Sequence, residues 1–142
     1  MSPNTTEDIT VELKNDLSEL QRLTKVVTEY CESSGLSPQI LFALNLSLEE
    51  VVANVMSYGY EDEHEHLIII RINRKDGGLE IEVEDDGKAF NPLEQEPPDI
   101  DAPIEERPIG GLGIHLVRHY MDALEYRRDN DRNVLSMKKS ID

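Results

Sequence analysis

Apolar residues recur at helical spacing through Leu41, Leu44, Leu48, Val51 and Val55, which predicts an amphipathic helix with a core-facing stripe. Ser37-Pro38 supplies an N-cap and a first helical residue, and Gly59 marks the end. Glu50 and Asn54 stand four apart, one above the other on a single face. That face borders the apolar stripe, where a polar group costs free energy unless it finds a partner. A solvated flank with an i,i+4 hydrogen bond accounts for the pair taken alone. Two stretches further along the chain weigh against that reading.

Upstream, Ile9, Val11 and Leu13 alternate with polar residues and predict a short first strand. Asp16 or Ser18 caps a helix running to Ser33 or Ser34, with Leu17, Leu20, Leu23, Val27 and Tyr30 as its stripe and Gly35 at its end. Downstream, Glu61 to His66 is a charged loop, and His64-x-His66 without a defined third ligand reads as solvated. Leu67 opens a strand reaching about Arg74, and Asp76-Gly77-Gly78 makes a hairpin turn. Leu79, Ile81 and Val83 then alternate with Glu80, Glu82 and Glu84, giving a strand with one buried and one acidic face.

That strand runs into Asp85-Asp86-Gly87-Lys88. The stretch from Leu93 to Pro108 has no period and holds Pro97, Pro98, Pro103 and Pro108. Such a length inside a compact domain reads as a functional lid or as a disordered insertion. Gly110-Gly111-Leu112-Gly113 opens a third helix with Ile114, Val117 and Met121 as its stripe, and leaves His115 and His119 toward solvent. Leu124 to Asp129, Asn130-Asp131 and Arg132 to Lys139 read as a closing hairpin. The order predicts one domain over residues 1–142: an α/β (α+β) two-layer sandwich, three helices on one face of a mixed, mostly antiparallel sheet.

Charge narrows the partners. The formal net charge of −16 leaves no basic stripe for nucleic acid, and argues against an anionic membrane surface. The single cysteine, Cys31, cannot form an intramolecular disulfide, which suits a reducing compartment. The first eight residues are polar and acidic, unlike a signal peptide, and the aliphatic run Leu67-Ile68-Ile69-Ile70 is too short to cross a bilayer. A cytoplasmic protein is expected.

The polar residues on these elements suit a nucleotide. An acidic protein binds a triphosphate poorly unless a divalent cation screens it, and Mg2+ prefers oxygen ligands. Asn54 offers a neutral amide oxygen. Asp85, at a strand end, offers a carboxylate to an adenine amino group. Gly87 lets the chain turn close beneath a base, and Gly111 and Gly113 place helix-start amides against phosphates. Taken singly, Asp85-Asp86-Gly87 also reads as an ordinary turn, and Gly110 to Gly113 as a hinge.

The three stretches together are specific. Glu50-Val51-Val52-Ala53-Asn54 through Tyr60, Val83 through Pro92, and Gly110 through Asp122 resemble the N box and the two glycine boxes of the GHKL, or Bergerat-fold, histidine-kinase-like ATPases. Within that family the chain is most similar to the bacterial anti-sigma factor serine/threonine kinases. The resemblance implies Glu50 as general base, Asn54 as the Mg2+ ligand, Asp85 on adenine, Gly87 beneath it, Gly111 and Gly113 on phosphates, and an ATP lid at about 93–109. Asn133 stands on the closing strand where many relatives have threonine near the base, and Ala89 where the wider family often has a second glycine. Lys88 and Arg107 are further phosphate partners or solvated cations. The implied role is phosphorylation of a serine or threonine on an anti-anti-sigma (STAS-type) protein together with binding of a sigma factor, as a homodimer. The alternative is an ATP-binding regulator that sequesters its partner with little or no kinase activity.

Overall fold

The computed structural model describes residues 8–94 and 111–141. Five strands and three helices follow in chain order: β1 (Ile9–Lys14), α1 (Leu20–Ser33), α2 (Pro38–Tyr58), β2 (Leu67–Lys75), β3 (Gly78–Asp85), α3 (Gly111–Tyr120), β4 (Ala123–Asp129) and β5 (Arg132–Ser140). The strands form one sheet in the order β1-β2-β3-β5-β4. Every pairing is antiparallel, so the sheet is not mixed. The chain leaving β3 crosses to the far edge as β4, then returns as β5 beside β3.

Two-residue turns set both tight hairpins. Asp76 and Gly77 have φ of 51° and 77°, and Asn130 and Asp131 have 50° and 62°. Two consecutive positive values follow the twist of the flanking strands.

The helices start where local chemistry dictates. The Asp16 carboxylate accepts the Ser18 N–H at 2.9 Å and caps a 3-10 turn, Leu17–Glu19. α1 therefore begins only at Leu20, and Leu17, expected on the buried stripe, is 55% exposed. Leu23, Val27, Tyr30 and Cys31 fill that stripe instead. Ser37 caps α2 as expected, its Oγ accepting the Ile40 N–H at 3.2 Å. The buried line of α2 is Ala43, Leu44, Ser47, Leu48, Val51 and Val52. Leu41 and Val55 lie at its borders, because α2 packs against α1 and α3 as well as the sheet. By length and composition α2 is apolar enough to cross a membrane, which inspection of Leu67–Ile70 alone overlooks; in this fold Ala43, Leu44, Leu48, Val51 and Val52 line the core, while Phe42 and Tyr58 are exposed.

Alternation along β3 decides the two sheet faces. Leu79, Ile81 and Val83 are buried with Ile68, Ile70 and Ile72 of β2 against the helices. Each fully buried aliphatic side chain of this kind contributes about 1.5–3 kcal/mol. The opposite face is not simply acidic. Glu82 pairs with Arg71 at 3.7 Å and Arg127 at 3.5 Å, Glu84 with Arg71 at 2.9 Å and with Arg132, and Glu80 with Lys138 at 3.8 Å.

Candidate functional site

The helical half of the site is the expected pair. Asn54 Nδ2 donates to Glu50 Oε2 at 3.1 Å, and both side chains are half-buried. More than a solvated flank is present, because α3 backs onto the pair. Gly113 is buried in the first turn of α3, and a Cβ there would overlap the Glu50 carboxylate. The missing side chain at 113 is what lets Glu50 lie where it does. Sequence reading assigned Gly113 to phosphates and gave no hint of this contact. Gly111 is the first residue of α3.

The sheet half follows from strand parity. Asp85 continues the inward series Leu79, Ile81, Val83, so its carboxylate is buried at the end of β3, 4% exposed. In register, Asp85 pairs with Asn133 of β5, and Asn133 with Arg128 of β4. These three form a polar row across the sheet end. Asp85 Oδ1 accepts from Gly87 N–H at 2.8 Å and from Asn133 Nδ2 at 3.0 Å. Asn133 Nδ2 also donates to the Lys88 carbonyl at 2.8 Å, while its Oδ1 accepts from Phe90 N–H at 3.3 Å and from the Tyr126 hydroxyl. Two acceptors on one side and two donors on the other leave the amide a single sensible orientation. Arg128 Nη1 donates to the Gly87 carbonyl at 2.9 Å. Burial pushes the Asp85 carboxyl above its ordinary range, and the bonds from Asn133 and Gly87 only partly counter it.

Gly87 is required by packing. A Cβ on it would run into the carbonyl of Gly59, the residue that ends α2. The Lys88 N–H donates to that same carbonyl at 2.9 Å. The end of α2 and the turn after β3 are thus in direct backbone contact.

One cleft joins the halves. Glu50, Asn54, Asp85, Lys88 and Asn133 line it, with Val51, Val83, Ile114 and Leu135 among its apolar walls, and its open space is about 580 Å³. Phe90 and Tyr126 also line it; sequence reading gave neither a role there. The signal for Tyr126 is strand parity, which places it two residues before Arg128 on the inward side of β4; Phe90 lies on no strand. Of the expected lid, Leu93 and Glu94 end a 3-10 turn begun at Pro92, and Arg118 Nη2 bonds the Leu93 carbonyl at 2.8 Å. Residues 95–109, Arg107 included, lie outside the described residues.

His66 differs from the expected solvated loop histidine. Its side chain is 17% exposed, and its ring stacks on Tyr60 with centroids 4.3 Å apart. Nε2 lies 2.8 Å from Asp62 Oδ1, and Nδ1 3.1 Å from Asp86 Oδ1. Cys31 is buried, which pushes its thiol up to about 11.

The donor chemistry fits a nucleotide with a hard cation. Among the described residues no cluster of three histidine, cysteine or acidic side chains could hold a metal by itself. Asn54 spends its amide N–H on Glu50, and its amide oxygen is the kind of donor a hard cation takes. A buried carboxylate with one oxygen engaged, in an apolar-walled cleft, suits an exocyclic amine.

A family model described as the histidine kinase-like ATPase domain matches residues 13–139. The chain belongs to that family. Among curated proteins, this ATPase domain is similar to the serine/threonine-protein kinase BtrW of Bordetella bronchiseptica, 27% identical over 71% of this chain and 71% of that one. It is also similar to the serine-protein kinase RsbW of Bacillus thuringiensis, 29% identical over 67% of this chain and 61% of that one. The matched region thus spans less than two thirds of the RsbW length. Among solved structures, that of the RsbU and RsbW domains of a Mycobacterium tuberculosis protein superposes with a TM-score of 0.71 at 12% identity, covering 96% of this chain and 33% of that one. A blue-light activated histidine kinase domain from Erythrobacter litoralis gives 0.55 at 15% identity, covering 88% and 60%. At these identities the structural neighbours speak for the fold: a histidine-kinase-like α+β sandwich.

Proposed function

We propose that this ATPase domain is an ATP-dependent anti-sigma regulatory factor: a cytoplasmic protein kinase that phosphorylates a serine or threonine of a STAS-type anti-anti-sigma protein and binds a sigma factor. The observation that carries the reading is the convergence of Glu50, Asn54, Asp85 and Asn133, from one helix and two strands, on a single cleft. Kinase names among the relatives support the reaction class.

In this reading Asp85 takes the adenine amino group, with Asn133 and the Gly87 N–H holding its carboxylate in place. Asn54 presents its amide oxygen to Mg2+, and Gly111 and Gly113 bring the start of α3 to the phosphates. Bound Mg2+ supplies charge neutralisation on the phosphates. Glu50 takes the proton of the attacking serine or threonine hydroxyl, held in place by Asn54. Phosphoryl transfer needs mainly such positioning and charge stabilisation.

The test is transfer of labelled γ-phosphate from ATP to a purified STAS-type partner. Transfer by the native chain and its loss in Glu50→Ala, with ATP still bound, is the expected result. Undiminished transfer by the variant would remove Glu50 from the mechanism. Stable partner binding with no transfer by the native chain would instead make it a sequestering regulator.

A further inference from the structure

The loop between α2 and β2 is bolted onto the turn that follows β3. The Gly59 carbonyl accepts the Lys88 N–H, Lys88 Nζ lies 3.6 Å from Glu61, and His66 reaches Asp86. Asp86 stands between Asp85 and Gly87, the two residues assigned to the adenine subsite. The His66 backbone is itself anchored: its N–H donates to Asn15 Oδ1 at 3.0 Å, and its carbonyl accepts the Asn15 N–H at 3.0 Å. The Tyr60 hydroxyl is buried without a hydrogen-bond partner among the described residues, and its ring stacks on His66.

Both nitrogens of the His66 ring face carboxylate oxygens. A neutral imidazole carries one N–H and one lone pair, so it satisfies one carboxylate and repels the other. Only the imidazolium donates to both. We propose that His66, held as an imidazolium between Asp62 and Asp86, is a positioning residue for the nucleotide subsite, fixing the turn that carries Asp85 and Gly87. The proposal rests on the cleft being a nucleotide site.

Around the ring, acidic groups outnumber basic ones. On its own loop His66 faces Asp62, whose Oδ1 also accepts the His64 N–H at 2.9 Å, with Glu61, Glu63 and Glu65 nearby in sequence. From the end of β3 come Asp86, Asp85 and Lys88; from β1 comes Lys14, paired with Glu65 at 3.7 Å; and Arg132 of β5 acts on the Tyr60 side of the stack. The hydrogen bond to Asp62 raises the ring above its ordinary value, partial burial opposes that, and Asp86 adds to the rise. A raised midpoint means that the clamp is complete at low pH and is lost as pH rises through the folded value.

The test is calorimetric titration of Mg2+-ATP into the full chain at pH 6.5 and pH 8.5, native against His66→Gln, with histidine-ring NMR of the free protein. Because the bonds are partly exposed, the expected penalty of the variant is about threefold in Kd at the lower pH. It should shrink as pH rises through the midpoint that the ring NMR reports. Taking the ratio of the two proteins removes titration of the nucleotide itself. Asp86→Asn should show the same converging ratio and lower the His66 midpoint, which serves if His66→Gln folds poorly. Equal affinities at pH 6.5, a ratio that does not change with pH, or a native midpoint at or below that of free imidazole would overturn the clamp while leaving the nucleotide reading intact. A native chain that binds no ATP at either pH would overturn both, even if the ring titrates high.

Discussion

At the scale of single residues, the site holds groups that work against stability. The carboxyl of Asp85 is raised by burial, so its stability contribution is full at low pH and is lost as pH rises through the folded value. Asp85→Asn keeps an oxygen to accept from Gly87 and Asn133 while removing the buried charge. The nucleotide-free variant should melt no lower than the native chain, and ATP affinity should fall at least ~10-fold, because an amide N–H would meet the adenine amino group. A melting curve and a binding isotherm check the two halves. Gly113→Ala makes the opposite separation visible. Alanine is favoured over glycine in a helix by about 1 kcal/mol, yet its Cβ would displace the Glu50 carboxylate. Phosphoryl transfer should drop ~10-fold or more without loss of the fold, measured by transfer rate and circular dichroism. The Glu50–Asn54 bond was legible from spacing four along a helix. The contact of Gly113 with Glu50 was not, since it joins residues on two helices whose mutual placement no periodicity reports.

At the scale of elements, ends and turns were read well where the signal is local. Ser37→Ala should cost about 1 kcal/mol by removing the cap of α2, read from urea unfolding midpoints. Asp131 occupies a left-handed position, φ 62°, in the β4–β5 turn. Asp131→Gly should stabilise by a few tenths of a kcal/mol, because Asn-Gly is preferred in such turns, read from the same midpoints. A cap at Asp16 or Ser18 starts α1 one to three residues early, because Asp16 serves a tighter turn that hydrophobic spacing cannot show. The sheet was expected to be mixed; its antiparallel order follows from β5 inserting between β3 and β4, a long-range pairing.

At the scale of the molecule, the net charge of −16 sets the terms for any anionic ligand. ATP should bind at least ~10-fold more weakly in excess EDTA than with Mg2+, and raising the salt to about 0.15 M should recover part of that loss by screening. Calorimetry in the two buffers decides it; equal affinity would show that Asn54 holds no cation of consequence. The cleft itself is a whole-molecule property. Its walls come from α2, α3, β3, β4 and β5 together.

The amino-acid order by itself determined which face of β3 is buried and, to within a residue or two, which stripe of α2. It therefore determined that Asp85, by strand parity, turns inward and that Glu50 and Asn54 share a flank. These follow from periods of two and 3.6 residues within one element. Tertiary structure alone decided what those side chains meet. Asn133, 48 residues away, bonds Asp85; Arg128 holds the Gly87 carbonyl; and His66 stands between two aspartates. Periodicity tells a side chain which way to face; only the packing of distant elements supplies the neighbour.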